Sequence, residues 1–425
     1  MRRVFQMVSI LVVLFLIPGI TAAAMIELEL VSWDDPPGQE IVRQALDEFE
    51  SLYPNIKVSN RQMPNYKDSL IVQLLTNTAP DVYVVGDWDY PEFWWQGFTA
   101  NLNPYIEEFG IDKTQWIPTI LASHTINGNI HVLPKDFSTI ATLYNADHLN
   151  GAGLAYPDPD WNWQEALHMA KKLTIVDPAT QQIERYGISA PPTDAILAWS
   201  FANAAGVPIM DENMSTFIGH LDHPKAIEAM QFAVDLIVKE QVAPGPAQGW
   251  DVDLFVNQKL SMVLWGPWYM SDWKETHKDL DFRSVQAPYY GPGRTTALMQ
   301  AGWAINPSIK DPTRAEAAAK LVLFLSGPRG QYYMARWALP STPETAFELG
   351  IHEDPYFLPF FDAAYDAYLP YWIYVPEFGN ILSGRWASIV NSAIRGEKPL
   401  AVGIEEIIGP AEAALQEVRD YYNMD

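Results

Sequence analysis

The chain has no cysteine. This excludes disulfides, thiolate metal sites and the lipid-bearing cysteine that tethers many exported bacterial proteins. Basic residues are also scarce: 27 Lys and Arg against 52 Asp and Glu give a formal charge of -25. A field of that sign repels nucleic acid and anionic headgroups and leaves neutral or cationic ligands. Beyond the first twenty residues no apolar run reaches membrane-spanning length. Internal repeats and low-complexity linkers are absent, which argues against modules strung on flexible tethers. Catalytic signatures are thin. There is no Gly-x-Ser-x-Gly elbow, no Walker loop and no His-Glu-x-x-His helix. The pairs Gly151/Gly153 and Gly291/Gly293 lack the third glycine of a dinucleotide turn, and the eight histidines have no metal-ligand spacing. No cofactor and no metal are expected.

What is present starts at the N-terminus. Met1-Arg2-Arg3, a mostly apolar run from Val4 to Ile20 and Thr21-Ala22-Ala23-Ala24 form the basic, apolar and small-residue regions of a secretory signal peptide. Cleavage is expected after about Ala24, leaving a mature chain of about 400 residues in the periplasm. With 48% apolar residues, that length can build two ordinary cores.

Hydropathy then alternates between strand and helix. Ile26 to Val31 reads as a strand and ends at Ser32-Trp33-Asp34; a helix follows from about Gln39, with Ile41, Ala45, Phe49 and Leu52 on one face. Asn55 to Val58, Tyr66 to Thr76 and Asp81 to Gly86 continue the strand–helix–strand order of a mostly parallel sheet. Asn162 with Glu165 reads as a capping box. Helices are expected from Pro224 to about Gln241, from Arg314 to Leu325 and from Ile404 to Tyr421, with a strand at Leu260–Trp265 breaking into Gly266-Pro267-Trp268. The fold class is α/β.

Two strands end abruptly in carboxylates: Val82-Tyr83-Val84-Val85-Gly86-Asp87-Trp88, and His131-Val132-Leu133-Pro134-Lys135-Asp136. In open α/β sheets ligands sit outside the carboxyl ends of the strands, so Asp87, Asp89, Asp136, Trp33 and Asp34 are candidates for one crevice. Carboxylates accept from hydroxyls and an indole face covers a ring's C–H surface, a set suited to a sugar. The bland reading of Asp87 is a loop aspartate capping the next helix. Sixteen tryptophans are present. Trp161 and Trp163 flank a helix start and Trp94 and Trp95 sit in an aromatic cluster, so these are expected to pack. Trp265 and Trp268, around a Gly-Pro turn, are candidate stacking surfaces. Tyr371, Trp372 and Tyr374 are expected at a cleft rim.

In order, Phe49-Glu50-Ser51-Leu52-Tyr53-Pro54-Asn55-Ile56-Lys57-Val58, Ala79-Pro80-Asp81-Val82, Leu133-Pro134-Lys135-Asp136, Leu143-Tyr144-Asn145, Asn162-Trp163-Gln164-Glu165, Arg185-Tyr186-Gly187, Trp265-Gly266-Pro267-Trp268, Gly291-Pro292-Gly293-Arg294 and Phe324-Leu325-Ser326 punctuate the whole mature chain. Each phrase is weak alone. Their order and spacing resemble the extracellular solute-binding proteins of ABC importers, specifically the sugar-binding family that includes maltose-binding protein. The resemblance implies a two-lobe, type II-like periplasmic-binding-protein fold with crossover hinge strands. Lobe one would span 25–138 and 292–328, and lobe two 139–291 and 329–425. Crossings would fall near Ser138-Thr139-Ile140, Pro288 to Thr296 and Gly327 to Gly330. It also implies that the Gly302-Trp303 pair touches ligand and that Arg385 donates to ligand hydroxyls, against an interlobe salt bridge as the plain alternative. The implied partners are a carbohydrate, most simply an oligosaccharide, and an ABC permease, with the receptor a monomer and no enzyme. Two alternatives stay open: a secreted glycoside hydrolase using two carboxylates such as Asp34 and Asp87, roughly 5–9 Å apart, or a receptor for a polyamine or a glycerol-phosphate diester.

Overall fold

A computed structural model describes residues 24–268, 270–336, 338–368 and 374–424. The expected leader, residues 1–23, and two of the three rim aromatics, Tyr371 and Trp372, lie outside these. The first sheet begins with β1 (Ile26–Ser32), followed by helix α1 (Pro36–Leu52), β2 (Ile56–Gln62), α2 (Tyr66–Leu75) and β3 (Val82–Gly86). Asp35 caps α1 by accepting from the Gly38 amide at 3.0 Å, with Pro36 in the first turn. The helix starts earlier than its apolar pattern alone suggests, and its buried face is Val42, Ala45, Leu46 and Phe49; Leu52 is exposed. Two further strands complete the sheet, β4 (Leu133–Thr139) and, much later in the chain, one at Leu298–Ile305.

The strand order is β2, β1, β3, Leu298–Ile305, β4. β2, β1, β3 and β4 run in one direction; the late strand alone runs against them, pairing antiparallel with both β3 and β4. The sheet is therefore mostly one-directional, as the strand–helix–strand order predicts, interrupted by the single strand in which the chain returns from the other lobe in the opposite direction. Its core joins Leu28, Leu30, Phe49, Val82, Val84, Trp116, Trp303 and the helix Pro312–Ser326.

The second lobe is built on β5 (Ala141–Asn145), flanked antiparallel by β6 (Met262–Trp265) and β7 (Phe282–Gln286). The late first-lobe strand is β8 in this order. Helices surround the second sheet: Trp163–Leu173, Ala195–Ala204, Pro224–Val238, Gly384–Ile394 and Leu400–Tyr422. The Asn162–Glu165 capping box is present, and Trp161 and Trp163 are buried at its base.

The lobes meet at two chain segments running side by side. Thr139 pairs with Leu298, and the Thr296 hydroxyl both accepts from the Ile140 amide at 3.2 Å and donates to the Ile140 carbonyl at 2.8 Å. A third segment joins them where the Leu298 amide donates to the Tyr368 carbonyl at 3.3 Å. The stretch Gly327–Gly330, expected to cross, stays with the first lobe instead. Trp116 donates its indole N–H to the Ser326 carbonyl at 2.7 Å, Met334 is in the first core, and a Cβ on Gly330 would lie 2.4 Å from Leu325 Cα. Gly330 thus serves a tight helix-to-helix junction, which the sequence presents with the same Gly-Pro punctuation as a hinge. The helix Leu358–Asp366 then bridges the lobes through Phe360, Phe361 and Ala364.

Candidate functional site

Between the lobes lies a cavity of about 580 Å³, within the range of small-molecule sites. The first lobe's wall comes from two strand ends and two strand interiors, because β4 does not stop at Asp136 as expected but runs on to Thr139. Trp33 and Asp34 follow β1; Asp87, Trp88 and Asp89 follow β3; Lys135 and Asp136 lie on β4, and Gln300 lies on β8. The second lobe's wall is Asp194, Ile196 and Leu197 at a helix start, with Trp265 and Trp268 after β6.

The register explains how the first wall forms. Ala301 on β8 pairs with Gly86 on one side and Asp136 on the other, while Gly302 pairs with Pro134. Lys135 is thus the extra residue of a β-bulge, and bulges re-aim side chains. Gln331 clamps this bulge by donating to the Pro134 carbonyl at 3.2 Å and the Lys135 carbonyl at 2.7 Å. The redirected ammonium lies 3.1 Å from Asp34 Oδ1 and 2.9 Å from Asp136 Oδ2, with only 4% of its side chain exposed. Burial alone would lower the Lys135 pKa; the two carboxylates, Asp136 foremost, outweigh burial and hold it well above the usual lysine value.

Asp87 accepts twice from the backbone, from the Trp88 amide at 2.9 Å and the Gln300 amide at 3.0 Å. Burial nevertheless pushes its pKa up to about 7, against those two donors and helped by the charges of Asp89 and Asp136. The carboxylate pins the turn after β3 to β8. Asp89 stands at the rim, 2.9 Å from Lys67. Asp194 caps its helix through the Ile196 and Leu197 amides, and burial raises its pKa.

Three polar atoms on the wall are buried without a hydrogen-bond partner among the described residues: Asp34 Oδ2, Gln300 Oε1 and Trp265 Nε1. Beside them stand partly exposed indoles. Trp33, Trp88 and Trp268 are 38%, 45% and 38% exposed. Trp268 lies directly over Gly266, where a Cβ would come within 2.4 Å of the ring, so a glycine is required there. Trp265 stands edge-on to Trp268 and to Trp250, with ring centroids 5.8 and 5.6 Å away.

Of the ten residues singled out from sequence, seven line this cavity: Trp33, Asp34, Asp87, Asp89, Asp136, Trp265 and Trp268. The other three do not. Trp303 is fully buried in the first core behind Lys135, whose ammonium is 5.9 Å from its ring centroid. Gly302 serves the bulge: a Cβ there would meet Val132 Cγ1 at 2.2 Å and the Leu133 carbonyl at 2.8 Å. Arg385 is exposed on its own helix and donates to the Ile381 carbonyl at 3.1 Å. Tyr374, the described member of the rim trio, reaches the first lobe: its hydroxyl donates to the Ala122 carbonyl at 3.3 Å, and its carbonyl accepts from Trp95 at 3.4 Å. Lys135, Gln300 and Asp194 carry the site without having been singled out. A lysine among apolar residues at the start of a strand was the available signal, since a buried cation must have partners.

Two α/β lobes joined by hinge segments, with a polar and aromatic cavity between them, define a solute receptor of the two-lobe class. The chain belongs to the bacterial extracellular solute-binding proteins, whose family model matches residues 34–332. A Brucella abortus protein named only as a binding protein is 26% identical over 255 residues, 56% of this chain; the match spans 57% of that relative's own length. The sugar-binding protein MalE of Xanthomonas citri superposes with a TM-score of 0.79 at 20% identity, covering 94% of this chain and all of its own. A Listeria monocytogenes ABC substrate-binding protein in complex with cycloalternan gives 0.75 at 20%, covering 93% and 99%. UgpB of Mycobacterium tuberculosis, in complex with glycerophosphocholine, gives 0.76 at 19%, covering 94% and 99%. At these identities the likeness is one of fold.

Proposed function

We propose that the chain is an exported receptor that binds a carbohydrate, most simply an oligosaccharide, in the interlobe cavity and presents it to an ABC import permease. The observation that carries this reading is the cavity wall itself. Buried acceptors at Asp34 Oδ2 and Gln300 Oε1 and a buried donor at Trp265 Nε1 share a cavity wall with the partly exposed indoles of Trp33, Trp88 and Trp268. Hydroxyls both donate and accept, and a sugar's C–H face stacks on indole. A guest touching Asp34 and Trp33 from one lobe and Trp268 from the other binds the closed arrangement better than an open one, which drives closure. The leader cleaved after about Ala24 would carry the chain to the periplasm as a monomer, with no cofactor and no metal.

Glycoside hydrolysis is the second reading that a specific observation favours, because Asp87 holds its proton up to about pH 7 in the same cavity as Asp34. Both oxygens of Asp87, however, are engaged by backbone amides, which leaves neither aimed at a glycosidic oxygen. The test is calorimetric titration against a saccharide panel, followed by mass spectrometry of the recovered sugar. Stoichiometric binding with the sugar intact is the expected result. Cleaved sugar moves the chain to the hydrolases, and a panel without a single binder removes the carbohydrate reading.

A further inference from the structure

Charge on the cavity wall is unbalanced. Five carboxylates line it: Asp34, Asp87, Asp89, Asp136 and Asp194. Among the described residues Lys135 is the only cationic side chain on that wall, and it is shared between Asp34 and Asp136. Lys67 outside the wall answers Asp89. Asp87 and Asp194 are held by backbone amides alone. Of the first-lobe residues that line the cavity, the two with an unpartnered buried side-chain atom, Asp34 and Gln300, both present an acceptor. Asp34 Oδ2 belongs to a side chain only 4% exposed, and Gln300 Oε1 to a residue only 7% exposed. Gln300 is not a carboxylate, so its orphaned oxygen on the same cavity wall is an independent call for a donor.

An ammonium group has three donors and no acceptor, so it satisfies two orphaned acceptors without leaving a lone pair unmatched. It also brings the positive charge that one lysine shared by the buried Asp34 and the partly exposed Asp136 leaves missing. Exposed indoles at Trp33, Trp88 and Trp268 add faces that attract cations. A neutral saccharide offers hydroxyl donors but no charge.

We infer that the guest is an amino-bearing saccharide whose protonated amine sits against Asp34 Oδ2 and Gln300 Oε1, with its ring on the second lobe's indoles. This rests on the carbohydrate reading above and narrows its substrate class.

The test uses matched series that differ at one position only: glucose, glucosamine and N-acetylglucosamine; the galactose counterparts; and β-1,4-linked trimers bearing hydroxyl, amine or acetamide. Spermidine serves as an amine without a ring. Titration at a slightly acidic pH keeps the amines protonated. At least one aminated sugar is expected to bind about tenfold or more tighter than both of its neutral partners, as one charge-assisted hydrogen bond allows. In Asp34→Asn that ratio is expected to fall towards one. The wild-type ratio decides the matter even where the variant folds poorly. Neutral sugars binding as well as aminated ones overturn the charge inference and leave the carbohydrate reading standing. Spermidine binding with no sugar bound, or no binding at all, overturns both.

Discussion

The two walls of the cavity are made in different ways. On the first lobe the functional atoms stand on or just after strands and are locked by the protein's own bonds: Lys135 between Asp34 and Asp136, Asp87 by two amides, Gln331 under the bulge. On the second lobe the contact surface is mostly rings, Trp265 and Trp268 hanging from a Gly-Pro turn, with Ile196 and Leu197 beside them. A wall of fixed dipoles and charges selects by position and sign. A wall of indoles contributes area and tolerates variation in the guest. The lesson is that stability and binding are coupled on the first wall and largely separable on the second.

Substitutions can break that contrast. The largest effect is expected from Lys135→Met, which strands the buried Asp34 and unpairs the partly exposed Asp136; losing one partner of a buried ion pair costs about 3–5 kcal/mol, read as a lowered urea midpoint. A loss below about 1 kcal/mol would mean that the lysine is not holding the wall together. Trp268→Ala is the counterpart on the second lobe. Its stacking surface makes a contribution of about 1.5–3 kcal/mol, so affinity for the saccharide is expected to fall roughly 10- to 100-fold while the melting temperature changes little.

A pH series sharpens the contrast further. Asp87 titrates at about 7 in the folded protein against 3.8 for a free side chain. Between those values the folded state holds a proton that the unfolded chain has released. Stability from this group is therefore full near pH 4 and is lost as pH rises towards 7, with a slope of up to about 1.4 kcal/mol per pH unit. Asp251, raised to about 6 mainly by burial, acts in the same direction. His124, lowered to about 3, and His148, lowered to about 4, act oppositely: the unfolded chain takes up their protons first, so stability drops as pH falls below 6.5. Subtracting the Asp87→Asn profile from the wild-type profile isolates the first contribution. A difference that is flat from pH 4 to 7 would contradict the burial of Asp87. The smallest effect belongs to Arg385→Ala. An exposed residue away from the cavity should leave affinity and stability within about 0.5 kcal/mol of wild type.

What could be read from the sequence follows from locality. The ends of β1 and β3 are punctuated by local signals, so Trp33, Asp34 and Asp87 could be assigned to one crevice before any coordinates; Asp136 lines the same cavity from inside β4, which does not end where its sequence suggests. The capping box at Asn162 and the Gly-Pro turn before Trp268 are equally local. The misplacements are all non-local. Gly302-Trp303 has the look of a ligand-facing pair, but its orientation depends on a bulge that only the register between β4 and β8 reveals. Gly327-Pro328 looks like a hinge because helix junctions and crossovers use the same residues. Lys135 lies in the quoted Pro134-Lys135-Asp136 phrase, yet its target, Asp34, is 101 residues away in the chain. Alternation along a strand would not have shown that the bulge turns it there.

A crystal structure of the chain with a bound saccharide tests the central claim most directly. The account predicts an intact guest with a donor within hydrogen-bond distance of Asp34 Oδ2 and a ring in van der Waals contact with Trp268. A guest held elsewhere, or one that occupies the cleft while leaving Asp34 Oδ2 and Trp268 untouched, would contradict it.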